Sequence, residues 1–149
     1  MQALDRRLSI LLTTLLVGGC ASHDEVSRVP SPDTKLDAVL VENSSRLTTS
    51  FWYEVFVVPS GFAVASVEPV ADIYGAIRNT GAYGANLKWL QPDLLTVEFE
   101  SAHSVEQVRS EAQVAGRLVR IVLYQGITDS SAPPGSMLRN RRPHTGGSP

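Results

Sequence analysis

Cys20 is the residue whose type and position most clearly suggest chemistry. It is the only cysteine in the chain, and it follows the apolar run Leu8–Val17 and the pair Gly18-Gly19. Arg6-Arg7 precede the run and make the start of the chain net positive. A positive start, a short apolar segment and small residues at a cleavage site are typical of a secretory signal peptide. The sequence therefore predicts that residues 1–19 are removed during export.

The residues before the cysteine, Leu16-Val17-Gly18-Gly19-Cys20, resemble a bacterial lipobox. The resemblance implies that Cys20 is diacylated on sulfur, receives a further acyl chain such as palmitate, and becomes the N-terminus of the mature chain. More than one acyl chain makes a stable membrane anchor. Ala21, rather than aspartate, follows the cysteine, which implies a position in the outer membrane with the protein facing the periplasm. Two alternatives stay open: an ordinary signal peptide beside a chance cysteine, or a small buried thiol.

No other pattern in the sequence predicts catalysis, a cofactor or a metal site. His23, His103 and His144 are far apart, and none has a partner at the spacing that metal sites use. Glu98 and Glu100 are two residues apart on a predicted strand, so both point to the same side. General acid–base catalysis needs carboxylates in different environments, and a solvated strand face is the better interpretation. We expect no enzyme activity, no cofactor and no metal.

The charge balance gives no reason to expect a nucleic-acid partner. The chain has 13 Lys+Arg and 15 Asp+Glu. Removal of residues 1–19 takes away two arginines and one aspartate, which leaves a mature chain of 130 residues with a net charge of −3. A nucleic-acid-binding domain usually carries a basic patch or stripe. A chain of this length is enough for one domain with a modest core. No thiol remains for a disulfide once Cys20 is acylated.

The stretch from Asn43 to Glu54 is the most unusual in composition. A polar, hydroxyl-rich loop runs directly into three consecutive aromatic residues, Phe51, Trp52 and Tyr53. On a strand, Trp52 and Glu54 face the side opposite the other two aromatics, and an exposed tryptophan beside a polar loop is typical of a binding hot spot. The alternative is that Trp52 packs under the tail or a helix. The predicted interaction surface comprises Arg46, Thr48, Thr49, Trp52 and Glu54, with a second polar-aromatic group of Tyr83, Asn86 and Trp89.

The remaining segments predict a simple domain organisation. Residues 20–33 are polar with two prolines and predict a lipidated tether. Residues 34–128 form the predicted β domain, and residues 129–149, rich in proline, glycine and arginine, predict a flexible tail.

Within the domain the hydrophobic period is mainly two, which is typical of strands. One segment differs: Val105, Val108 and Ala112 stand at helical spacing behind Ser104, a suitable N-cap. We expect a mainly β fold, a small antiparallel sandwich or half-open barrel of about six strands with one short helix at 104–112. The predicted strands are 36–42, 51–58, 70–77, 83–90, 94–100 and 117–124, with a short edge piece at 62–67 and a hairpin turn at 91–93.

Several strings resemble a family of short bacterial proteins of unknown function. They are Ser31-Pro-Asp-Thr-Lys-Leu-Asp-Ala-Val-Leu-Val-Glu42, Thr48-Thr49-Ser50-Phe51, Tyr83-Gly-Ala-Asn-Leu-Lys-Trp-Leu90 and Ala132-Pro-Pro-Gly-Ser-Met-Leu138. The resemblance covers most of residues 31–138. It departs at Leu47, where the family usually has alanine, and at Arg46, where glycine is common. It implies a folded domain and brings no activity, ligand or catalytic residue.

These observations predict a non-catalytic binding or envelope-associated module. It reaches the membrane through its N-terminal lipid and meets a protein or cell-envelope partner. The alternative is an immunity or inhibitor lipoprotein that neutralises a periplasmic toxin or hydrolase. An enzyme would need a cleft around a carboxylate such as Glu54, Asp72 or Glu98.

Overall fold

Strands make up the regular structure of the described residues. The computed structural model describes residues 22–44, 51–79 and 82–128. None of the elements in these ranges is an apolar helix of membrane-spanning length. The predictions for the signal peptide, Cys20, Arg46, Thr48, Thr49 and the tail lie outside the described residues. The strands are β1 (Ser22–Pro30), β2 (Leu36–Ser44), β3 (Phe51–Pro59), β4 (Ala71–Tyr74), β5 (Ile77–Asn79), β6 (Ala82–Tyr83), β7 (Asn86–Gln91), β8 (Leu94–Phe99), β9 (Ser104–Glu106), β10 (Glu111–Val114) and β11 (Arg117–Gln125).

The strands form two main sheets. Sheet 1 has the order β1-β2-β3-β4-β9, and every neighbouring pair is antiparallel. Sheet 2 has the order β10-β11-β8-β7, in which β11 and β8 are parallel. Strands β5 and β6 form a separate two-stranded sheet. The prediction of a mainly β fold is confirmed, and no sheet in the described ranges closes into a barrel.

Strands β2 and β3 form the centre of sheet 1 because they are apolar on both faces. They pair over nine residues each, from Leu36 opposite Pro59 to Ser44 opposite Phe51. Their inner residues join residues of sheet 2 in one core, which includes Leu40, Tyr53, Val55, Leu95, Val97, Phe99, Val119 and Ile121. On the other side, a second cluster of Val39, Val41, Phe56 and Val58 is also buried, and Val64 of the β3–β4 connection packs against it.

The predicted hairpin at 91–93 is confirmed as the turn between β7 and β8. Its second strand directs Leu95, Val97 and Phe99 into the core, as the alternating pattern predicts. Thr96 points to the other side but is also buried, and its hydroxyl donates to the Lys88 carbonyl at 3.1 Å.

One arginine joins three turns at one end of the molecule. Arg117, which follows the β10–β11 turn, donates to Asp33 at 2.6 Å and to the Pro92 carbonyl at 3.1 Å. Asp33 belongs to the β1–β2 turn and Pro92 to the β7–β8 turn. The hydrogen bond from Arg117 holds the pKa of Asp33 well below its usual range. The ion pair therefore fixes the turns of sheet 1 against those of sheet 2.

The predicted helix over 104–112 is wrong. The structure has strand β9 there, then an irregular link, then β10. Val105 lies opposite Ile73 and Ala112 lies opposite Val119, so each is placed by a sheet partner from elsewhere in the chain. The spacing of the apolar residues alone does not distinguish a helix from two short edge strands. The pairing of Val105 and Ala112 with residues elsewhere in the chain decides between the two.

The prediction of a tether over residues 20–33 is wrong for residues 22–30, which form edge strand β1. A bulge between Glu25 and Ser27 turns Val26 into the core, where it is 2% exposed. Arg28 pairs with the buried carboxylate of Asp37 at 2.9 Å. Burial raises the pKa of Asp37, but hydrogen bonds from Gly61 and Arg28 outweigh it and hold that pKa below its usual value. The polar composition of β1 reflects its position at the sheet edge.

Two smaller expectations also change. Residues 62–67 form turns and irregular structure instead of an edge strand, and Phe62 is 64% exposed. The strand predicted over 70–77 ends at Tyr74, because Gly75 adopts a positive φ of 62° and turns the chain towards β5.

The buried hydrogen bond between Tyr53 and Glu42 gives a test of the fold. Tyr53 donates to Glu42 at 2.9 Å, and both side chains are at most 2% exposed. Tyr53→Phe removes a donor from a buried carboxylate, so we expect a loss of about 2 kcal/mol in the free energy of unfolding, measured by urea denaturation. Tyr124→Phe is the matched control, since Tyr124 is 45% exposed. Equal stabilities of the two variants would contradict this account.

Candidate functional site

The candidate site is the outer face of sheet 1, which carries neighbouring carboxylates beside aromatic residues. Successive residues of a strand point to opposite faces of a sheet. Tyr53, Val55 and Ile73 point into the core, so Trp52 and Glu54 of β3 point outward, as do Asp72 and Tyr74 of β4.

Three carboxylates lie side by side across this face. Glu54 of β3 is opposite Asp72 of β4, and Asp72 is opposite Glu106 of β9. We call these three residues the acidic row. Like charges directly opposite each other on neighbouring strands destabilise a sheet. Burial, and then the charges of Glu54 and Glu106, raise the pKa of Asp72 above its usual value. Asp72 Oδ1 is buried and accepts no hydrogen bond from the described residues.

Two aromatic residues lie next to the acidic row. Trp52 is half-buried and pairs across the strands with Tyr74, which is 39% exposed. The ring of His103 lies 6.1 Å from the Tyr74 ring, centre to centre. A side chain at Gly75 would collide with the His103 ring, so the glycine allows the histidine to sit there. We call Trp52 and Tyr74 the aromatic pair.

A polar group lies beside them at the β1 edge. His23 Nδ1 donates to Asn43 Oδ1 and lies 3.7 Å from Glu54 Oε2. Asn43 is only 3% exposed, and its Nδ2 has no hydrogen-bond partner in the described part of the chain. Register places His23, Asn43, Trp52, Tyr74 and Ser104 in one row across all five strands.

The predicted surface residues that the structure describes are divided among three sheets. Trp52 and Glu54 lie together on the outer face of sheet 1, while Asn86 and Trp89 lie on β7 of sheet 2 and Tyr83 lies on β6. Asn86 and Trp89 point to opposite faces of β7. Trp89 packs against the core, and its indole N–H donates to the Val29 carbonyl at 2.9 Å. Trp89 therefore joins the edge strands β7 and β1.

Sequence reasoning missed the residues that complete the outer face of sheet 1. The sequence predicts a helix at Glu106, and it indicates Asp72 only as one of the carboxylates around which an enzyme would need a cleft. Asp72 and Tyr74 do alternate with Ala71 and Ile73, which is a signal for one polar face. The pairing of three strands, which joins residues 54, 72 and 106, has no local signal.

The acidic row suits a positively charged ligand better than it suits catalysis by paired carboxylates or the binding of a metal ion. Glu98 lies on sheet 2 in an ion pair with Lys88 at 2.8 Å, so it does not join Glu54 and Asp72. Within ranges 22–44, 51–79 and 82–128, no three His, Cys, Asp or Glu side chains converge as a metal site requires. A lysine or arginine side chain can pair with the acidic row and also lie against an aromatic ring.

Comparison of the chain with protein-family models, with curated proteins and with solved structures finds no match.

The acidic row predicts an unusual effect of neutralising a carboxylate. A carboxyl whose pKa is raised in the folded state favours folding at low pH, and this contribution is lost as the pH rises through the folded-state pKa. We therefore expect Asp72→Asn to stabilise the protein at pH 7 by only about 0.5 kcal/mol, because solvent screens the charges of a partly exposed row, with the gain vanishing below about pH 3.5. Urea denaturation at several pH values measures it.

Glu111→Gln is the control for this measurement. Glu111 is an exposed carboxylate on β10 of sheet 2, away from the acidic row. Destabilisation by Asp72→Asn at pH 7 would show that Asp72 makes a favourable interaction and that the row is not repulsive.

Proposed function

We propose that this chain is a bacterial lipoprotein whose β domain is a non-catalytic binding module. Cys20 is the acylated residue, and the domain faces the periplasm from the outer membrane. The export and anchoring part of the proposal is supported by the charged start, the apolar run and Gly18-Gly19-Cys20.

The single observation that carries the binding function is the acidic row beside the aromatic pair. Natural sheets avoid like charges on directly opposite residues, yet Glu54, Asp72 and Glu106 continue across three strands. Features that reduce stability are common at functional sites. A partner protein with exposed lysine or arginine side chains would neutralise the row.

A second candidate function is inhibition of a periplasmic toxin or hydrolase. The same acidic row favours it, because such a surface could cover a basic groove in the target. The identity of the bound partner distinguishes an inhibitor from an envelope-assembly module.

The arrangement of the sheets is part of this proposal. We infer a small sandwich rather than a half-open barrel, since the inner faces of sheets 1 and 2 share one cluster of buried residues. This packing leaves the outer face of sheet 1 on the side away from sheet 2.

In-cell photo-crosslinking tests the binding function. A photo-reactive residue at Glu106 should capture a specific envelope protein, whereas the same residue at Glu111 should not, although both glutamates are exposed. Glu54→Gln combined with Asp72→Asn should reduce the captured amount about tenfold, since loss of about 1.4 kcal/mol of binding free energy has that effect. An adduct that is equally abundant with both carboxylates neutralised would contradict the proposal.

The anchor is tested in the same cells with an alkyne analogue of palmitate. The native chain should incorporate the label and fractionate with the outer membrane, and Cys20→Ala should do neither. Label on the Cys20→Ala chain, or an unlabelled native chain, would exclude acylation at this cysteine.

A further inference from the structure

We infer that the Ser22 end of sheet 1 stands directly on the membrane surface, with the aromatic pair among the lipid headgroups. The occupant of this end of the outer face is therefore the bilayer that holds the anchor. This inference rests on the proposed acylation of Cys20.

The first argument is the length of chain between the anchor and the sheet. Strand β1 begins at Ser22, two residues after Cys20. An extended chain spans at most about 3.6 Å per residue, so the Cα atoms of these two residues are within about 7 Å of each other. An acylated cysteine is fixed at the membrane surface because its chains lie in the bilayer. The start of β1 is consequently at the headgroups, and no tether separates the domain from the lipid.

The second argument is the identity of the side chains at this end. His23 shares its row with Asn43, Trp52, Tyr74 and Ser104. Residues in one cross-strand row lie at the same height along the strands, so the aromatic pair is close to the membrane when the strands stand upright. Tryptophan and tyrosine are the residues enriched at membrane–water interfaces. The anchor fixes one corner of the sheet. A sheet lying flat on its outer face would bring the acidic row against anionic headgroups, so the upright orientation, with the aromatic pair at the lower end, is favoured.

The opposite end of the molecule consists of turns held together by polar contacts. It carries the turns joined by Arg117 to Asp33 and Pro92. Val29 is seven residues after Ser22 along β1, a distance of about 23 Å at the rise of a β-strand. This end points into the periplasm, and the acidic row lies one pleat period, about 7 Å, beyond the aromatic pair. A partner that reaches the acidic row must therefore approach close to the membrane surface.

The two tryptophans of the chain provide a matched experiment. Trp52 is at the membrane end, and Trp89 bonds to Val29 at the far end. The acylated full chain, as Trp89→Phe or as Trp52→Phe, is purified from bacterial membranes. It is then placed in phosphatidylethanolamine–phosphatidylglycerol vesicles, with and without lipids brominated near the headgroup end of their acyl chains. We expect the brominated lipid to quench Trp52 emission and to leave Trp89 emission unchanged. If Trp89→Phe does not fold, the native chain compared with Trp52→Phe gives the same difference.

Mass spectrometry, which detects the acyl groups, and vesicle flotation, which detects anchoring, separate this inference from the proposed anchor. A chain that lacks acyl groups and does not float shows that the anchor is absent, and the inference falls with it. A chain that is acylated and floats, but whose two tryptophans are equally unquenched, overturns the orientation and leaves the anchor intact. A glycine-serine linker inserted between Ala21 and Ser22 should abolish the quenching of Trp52. Quenching that persists with the linker would overturn the claim that the two-residue spacing sets the orientation.

Discussion

Burial of both faces of β2 and β3 is the constraint on which the rest of the structure depends. A shift of one residue in a strand exchanges its two faces. Here the inner face joins the core, and Val39, Val41, Phe56 and Val58 of the other face are also at most 3% exposed. Because both faces are apolar along most of the pair, the register depends on the buried hydrogen bond between Tyr53 and Glu42, which lie directly opposite each other. β4 then pairs with β3 so that Ile73 enters the core, and β9 pairs with β4 with Val105 opposite Ile73. The alignment of Glu54, Asp72 and Glu106 is a consequence of that register.

The fold places the carboxylates of the acidic row directly opposite one another, although their repulsion destabilises the sheet. The core fixes the positions of these residues without requiring carboxylates at them, because their side chains point away from it. Several other charged residues of the described domain have partners: Arg28 bonds to Asp37, Arg117 to Asp33, and Lys88 to Glu98. Among the contacts of the described residues, the acidic row has a single basic neighbour: His23, which lies beside Glu54 at one end of the row. A cost that the fold does not require is the physical basis for the proposal that the row serves recognition.

The long apolar strands could be predicted from the sequence, whereas the edges of the sheets could not. β3 and β8 have strong patterns of β-branched and aromatic residues, which are typical of strands in any context. β1, β9 and β10 are short or polar, and only their partners make them strands. Trp52 and Trp89 are both predicted to belong to an interaction surface, yet one lies on the outer face and the other joins β7 to β1. Long-range pairing separates them, and no local pattern contains that information.

The most direct test of the central claim is the pKa of the Asp72 carboxyl in the folded mature domain. It is measured by NMR titration of the carboxyl carbon. The account predicts a value above the ordinary aspartate value of about 3.9, because burial and two neighbouring carboxylates disfavour its charge. Addition of a partner that neutralises the row should lower this value. A pKa at or below the ordinary value in the free domain would mean that the charge of Asp72 is already compensated, and would contradict the account.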